Sequence, residues 1–241
     1  MSSKKYRGKV CAYCGAVDQP TTAEHVLARR LFLPEDRSNL PKIPACSRCN
    51  SAKSKLETYA AAALLAGSQH FEAVRVRREF VSRSLAKNQA VARELGIYRT
   101  ATWMSVNGVF QKMHPLTIDA AKIKSLMDFI VRGLYYFHNR SRIPDSHTVK
   151  VSLQHPGREQ ELIELLRDGF GGNVTLHSNN FGRNSFAYEM LQSNEIPGLA
   201  AFRMMWHGGI TLYGSNSPPQ GIDKWWAMIW PDQDTLDQLA A

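Results

Sequence analysis

The stretch that decides the fold is ACSRCNSAKSKLE, residues 45–57. It places a Cys-x-x-Cys pair, Cys46 and Cys49, at the mouth of SAKSKLETYAAAALLA, an Ala- and Leu-rich pattern that reads as a helix and stops at Gly67. Asn50 follows the second cysteine directly. Toward the N-terminus, CAYC supplies a matching pair at Cys11 and Cys14, and Glu24-His25 lies between the two pairs. No other cysteine occurs in the 241 residues. Two such pairs predict one four-thiolate zinc site rather than structural disulfides or a dithiol redox pair, because each knuckle offers two thiolates and two knuckles close a tetrahedron around Zn2+. Residues 1–45, broken by Gly15, Pro20, Pro34, Pro41 and Pro44, are too few to hold together without that metal.

A zinc with four cysteine ligands has no open position, so its expected role is structural. Bringing the knuckles together also brings Asn50, at the helix start, near Glu24 and His25. A carboxylate, an imidazole and an amide oxygen form a set suited to phosphodiester hydrolysis. A neutral imidazole deprotonates water near neutral pH, and a carboxylate with an amide oxygen suits a hard divalent cation that keeps several waters. Adjacent strand residues point to opposite faces, so Glu24 and His25 share one substrate only if the chain bends there or the two approach it from different sides.

The order Cys11, Cys14, Glu24-His25, Cys46, Cys49, Asn50 resembles the HNH nucleases of the zinc-containing ββα-metal type, above all the endonuclease VII-like subgroup, over about residues 8–60. The resemblance implies that His25 is the general base, that Glu24 and Asn50 bind a catalytic Mg2+ or Mn2+, and that the four cysteines bind structural Zn2+. It also points to Asn39, in SNLPKIPAC, as the residue that ties down the loop between strand and helix, although Asn39 lies about two residues farther from the cysteine pair than the commoner spacing and reads equally as a turn residue. Asn50 stands where many members carry a second His, and Glu24 where Asp is common.

The charge distribution agrees with a polyanion partner. The formal net charge is +9, and residues 1–100 carry 18 Lys and Arg against 8 Asp and Glu, an excess of ten, while residues 101–241 carry 12 against 13. Arg29, Arg30, Arg48, Lys53 and Lys55 flank the motif and are the candidate phosphate contacts, with DNA the expected polymer. Glu57 reads as an i, i+4 partner of Lys53 rather than as a metal ligand.

Residues 71–95, FEAVRVRREFVSRSLAKNQAVAREL, read as one long helix with Phe71, Val74, Val81, Leu85, Val91 and Leu95 near one face. Its arginines serve either a solvated face or a flank for DNA. TATWMSV and VFQKM, joined by Asn107-Gly108, predict a hairpin. A helix is expected over about 117–137 with Thr117 as its cap, then a strand at HTVKVSL, a helix at REQELIELLRDGF, and strands at NVTLH, SFAYEML, LAAFRMMW, ITLY and WWAMIW. Tyr135, Tyr136, Trp206, Trp225, Trp226 and Trp230 read as core rather than as a base-stacking surface, and the five histidines from His138 to His207 show no ligand spacing.

The expected architecture is α+β: a zinc-braced ββα-metal HNH head (residues 1–67), a helix and hairpin connector (68–116), and an α+β domain with a mostly antiparallel sheet (117–241) that targets or restrains the head or pairs with a regulator or a second copy. With a charged start and no apolar run of membrane-spanning length, the chain is expected to be cytoplasmic with no membrane association. The competing reading is a non-catalytic zinc-ribbon module that binds nucleic acid or a protein.

Overall fold

In the computed structural model, which describes residues 6–17, 21–67, 70–106, 109–113, 116–154, 170, 173–207, 210–214, 217–222 and 224–231, two short strands precede a long helix. Strands β1 (Thr21–His25) and β2 (Lys42–Cys46) pair antiparallel, with Glu24 opposite Ile43 and His25 opposite Lys42. Pro44 cannot donate to a ladder, but its carbonyl accepts the Ala12 N–H at 2.9 Å, so the first cysteine knuckle docks along the edge of β2. Helix α1 (Ser47–Gly67) follows β2 directly. Residues Tyr59 to Leu65 of α1 are all buried, as befits a helix surrounded by protein on every side.

Between β1 and β2 the chain makes 3-10 turns at Arg29–Leu31 and Pro34–Asp36, and Val26, Leu27, Ala28, Leu31, Phe32 and Leu33 are buried. This loop is an apolar plug, not a surface excursion. Its Phe32 ring lies 6.1 Å from that of Trp206, far along the chain.

The long helix expected over residues 71–95 is interrupted. Helix α2 (Phe71–Val76) runs through a π-helical turn (Arg77–Val81) into α3 (Ser82–Lys87), and Asn88 then leaves helical geometry to start α4 (Gln89–Glu94). The Asn88 side chain accepts the Val91 N–H, so it caps α4, the role for which Asn is favoured over a helix interior. Phe71, assigned by periodicity to the core stripe, is 57% exposed. Strands β3 (Thr102–Val106) and β4 (Val109–Met113) form the expected antiparallel pair, and Asn107-Gly108 lies outside the described residues.

Helix α5 (Ala120–Asn139) is capped by Asp119, whose carboxylate accepts the Ala121 and Lys122 N–H groups, rather than by Thr117. Thr117 is occupied elsewhere: its hydroxyl accepts from Arg99 at 2.8 Å and its N–H donates to the Leu95 carbonyl. Ile123, Met127, Ile130 and Leu134 form the buried stripe as expected. Gly133 lets α5 meet the chain just after β1, since a Cβ there would lie 2.7 Å from Val26 Cγ1.

The remaining strands are β5 (His147–Gln154), β6 (Val174–Phe181), β7 (Phe186–Ser193), β8 (Ala200–Trp206), β9 (Ile210–Gly214), β10 (Ser217–Ile222) and β11 (Lys224–Pro231). Five of them form an antiparallel sheet in the order β5-β11-β8-β7-β6, and β9 pairs with β10. The α+β class with antiparallel sheets therefore holds. Strand β10, SPPQGI, is unannounced by its prolines, and the helix expected at REQELIELLRDGF falls outside the described residues except for Phe170. Trp206 and Tyr135 are core, Tyr136 is partly buried, and Trp225, Trp226 and Trp230 lie on β11.

One contiguous cluster of buried side chains runs from Cys11 through α1, the interrupted helix and α5 to Trp206. Head, connector and sheet share this core. Among the described residues, no helix is long and apolar enough to cross a membrane.

Candidate functional site

The two cysteine pairs converge. The sulfurs of Cys11, Cys14, Cys46 and Cys49 all lie within 4.8 Å of one another, and Cys14 Sγ is 3.8 Å from Cys46 Sγ. Tetrahedral coordination with Zn–S near 2.3 Å requires S···S of about 3.8 Å. All four cysteines are free of disulfides. Gly15, at φ +73°, closes the first knuckle, its N–H donating to the Cys11 carbonyl at 2.9 Å. The Cys46 N–H points at Cys11 Sγ at 3.4 Å, the backbone support a thiolate ligand takes. Burial pushes the Cys11 and Cys49 thiols up. At Cys14 a smaller burial penalty is outweighed by the Ala16 backbone and the neighbouring sulfurs, which bring it down to about 6. The cluster is built to bind a structural metal such as zinc.

Below this cluster, α1 presents Asn50, Lys53, Ser54, Glu57, Thr58 and Ala61 at spacings of three and four residues, which places them along one helical face. Lys53 is fully buried on that face. Its ammonium donates to Glu24 Oε1 at 2.9 Å, to the His25 carbonyl at 2.8 Å and to Glu57 Oε1. Three N–H groups meet three acceptors, which is what a desolvated ammonium requires. The i, i+4 partnership of Lys53 and Glu57 is present, but it is buried rather than on the surface. The expectation that Lys53 meets backbone phosphate is corrected: the side chain is turned inward and holds the motif together.

A cleft of about 560 Å³ opens beside this triad, lined by Glu24, His25 and Asn50 together. His25 is the last residue of β1, and the Val26 N–H continues the β1–β2 register by donating to the Pro41 carbonyl at 2.9 Å. Both neighbouring residues line the cleft from the end of β1. Burial raises the Glu24 carboxyl above its ordinary range, with Lys53 pulling the other way. Burial, then Lys42, Arg29 and Lys53, lower the His25 imidazole to about 4, so its ring is neutral at physiological pH.

Arg29 and Arg30 line the same cleft, and Arg30 Nη1 donates to Thr58 Oγ1 at 2.5 Å. Arg48 is exposed outside the cleft beside Cys14, whose sulfur, followed by the charge of the other thiols, raises the guanidinium pKa. Lys55 is exposed and borders a separate depression with Tyr59 and Asn88. Asn39 is exposed in a turn and is not among the residues that line the cleft.

Several lining residues escaped the reading of the sequence. Ser54, Glu57 and Thr58 follow from Asn50 by helical spacing alone and were within reach. Arg37, Phe80 and Leu85 come from other elements and carry no local signal. Comparison with protein-family models, with curated proteins and with solved structures gives no match.

Proposed function

We propose that the protein is a divalent-metal-dependent endonuclease that hydrolyses phosphodiester bonds in DNA, of the zinc-containing ββα-metal HNH type. The observation that carries this reading is the meeting of Glu24, His25 and Asn50 on one cleft, from a β-hairpin and the helix after it, beside a four-cysteine site.

The residues divide the work. Neutral His25 takes the proton of the attacking water as the water oxygen bonds to phosphorus and the bond to the 3′ oxygen breaks. Asn50 Oδ1 and the Glu24 oxygen not engaged by Lys53 would hold Mg2+ or Mn2+, which supplies neutralisation of the charge on the phosphate. Arg29 and Arg30 hold the substrate backbone at the cleft wall. Lys53 fixes the Glu24 carboxylate and the His25 backbone in place.

The same Lys53–Glu24 contact favours a second reading, a non-catalytic zinc module in which Glu24 only anchors α1 to β1. Incubation of the zinc-loaded chain with supercoiled plasmid and with single-stranded circular DNA separates the two. The nuclease reading predicts cleavage that needs Mg2+ or Mn2+, stops on chelation of the added metal, and drops at least a hundredfold in Asn50→Ala. DNA binding with no cleavage under any divalent metal supports the second reading.

A further inference from the structure

The cleft is also lined by Phe80, Val81 and Leu85. Phe80 and Val81 belong to the π-helical turn Arg77–Val81, a rare geometry that occurs mostly as single turns within α-helices and is frequent at functional sites. Phe80 is only partly buried. The Arg37 guanidinium lies 5.2 Å from its ring centroid and is anchored by two hydrogen bonds to the Phe32 carbonyl, at 3.0 and 2.8 Å. The ring is therefore held beside a fixed cation.

A cleft lined both by arginines with the Glu24/His25/Asn50 set and by an aromatic ring with apolar side chains suits one phosphate together with one base. Its volume of about 560 Å³ falls among pockets that enclose a single drug-sized molecule. An intact duplex keeps its base faces stacked inside and presents phosphate and sugar, which gain nothing from an apolar wall. An unpaired nucleotide presents a π-face, and stacking of such a face on an aromatic ring is the sequence-tolerant contact of single-strand binders. Resting on the nuclease reading of the same cleft, we infer that the substrate is an unpaired DNA strand, with the base next to the scissile phosphate stacked on the Phe80 ring.

The test is binding, which does not depend on cleavage. Full-length, zinc-loaded His25→Ala protein is titrated with a short single strand carrying 2-aminopurine and with the same strand in a duplex. The inference predicts single-strand binding at least tenfold tighter than duplex binding, with the probe quenched on stacking. Phe80→Leu, which keeps apolar volume but removes the ring, and Phe80→Ala should weaken single-strand binding about 5- to 150-fold and abolish the quench, and Phe80→Trp should restore both. Equal binding of strand and duplex, binding of neither, or indifference to Phe80→Leu overturns the inference. If, in addition, the wild type cuts plasmid in a His25-dependent way, the nuclease reading survives and only the substrate assignment falls.

Discussion

Lys53 Nζ lies 2.9 Å from Glu24 Oε1, a buried ion pair that ties the first turns of α1 to the end of β1. Glu57 closes the other side of the same ammonium. Removing the cation leaves two largely buried carboxylates facing each other. Lys53→Met should therefore lower the stability of the zinc-loaded chain to urea by about 3–5 kcal/mol, the usual cost of breaking a buried pair from one side. Adding Glu24→Gln and Glu57→Gln should recover a large part of that loss, because the uncompensated charge goes with them. A loss below about 1 kcal/mol in the single variant contradicts the buried arrangement.

Cys11 and Cys46 are fully buried within the cluster that continues to Trp206, so the metal site and the sheet share one core. Purified protein should carry about one zinc per chain, as a closed four-thiolate site demands. Cys46→Ser should lose that zinc and lower the melting midpoint of the whole chain, measured by far-UV circular dichroism with metal analysis on the same sample. Loss of zinc with an unchanged midpoint would show that head and sheet are energetically independent.

Gly133 packs against Val26, one residue after His25. Helix propensity favours Ala over Gly by about 1 kcal/mol, but a Cβ 2.7 Å from Val26 Cγ1 must displace that side chain. Overpacking of this kind costs about 1–3 kcal/mol, so Gly133→Ala should be net destabilising in denaturant titration, and Val26→Ala in the same chain should reverse the sign of its effect. Stabilisation by the single change contradicts the close approach.

The sequence readily announced the elements with local chemistry. Cys-x-x-Cys spacing located the metal cluster, the Ala-Leu run located α1, and alternating apolar runs located most of the sheet. It failed where a residue's partner comes from another element. Lys53 looks like any basic residue on a helix until β1 delivers Glu24 and the His25 carbonyl to its three protons. The break at Asn88 lost to the apolar periodicity around it, although Asn is a capping residue, and Asp119 displaced Thr117 as a cap because Thr117 is held by Arg99 and Leu95. Phe80 enters the cleft from a separate helix, which no pattern within residues 8–60 could reveal.

His138 donates to or accepts from the Tyr188 hydroxyl at 2.8 Å, and its ring centroid lies 4.2 Å from that of His177. Burial, then His177 and Arg140, lower its pKa to about 4, below the value near 6.5 of an unfolded histidine. Between those two values the unfolded chain binds the proton more readily, so this site loses stability as the pH falls from about 6.5 to 4. The urea midpoint should drop between pH 7 and pH 5 by more in the wild type than in His138→Gln. An equal drop in both contradicts the assignment.

The most direct test of the central claim compares the wild type with His25→Ala at matched zinc content, on plasmid and single-stranded circular DNA with Mg2+ or Mn2+. Loss of the imidazole that takes the proton from water should reduce cleavage by at least a hundredfold while leaving DNA binding and the melting midpoint nearly unchanged. Cleavage by His25→Ala at the wild-type rate, or inertness of both proteins at equal DNA affinity, would contradict the assignment of Glu24, His25 and Asn50 as a hydrolytic site.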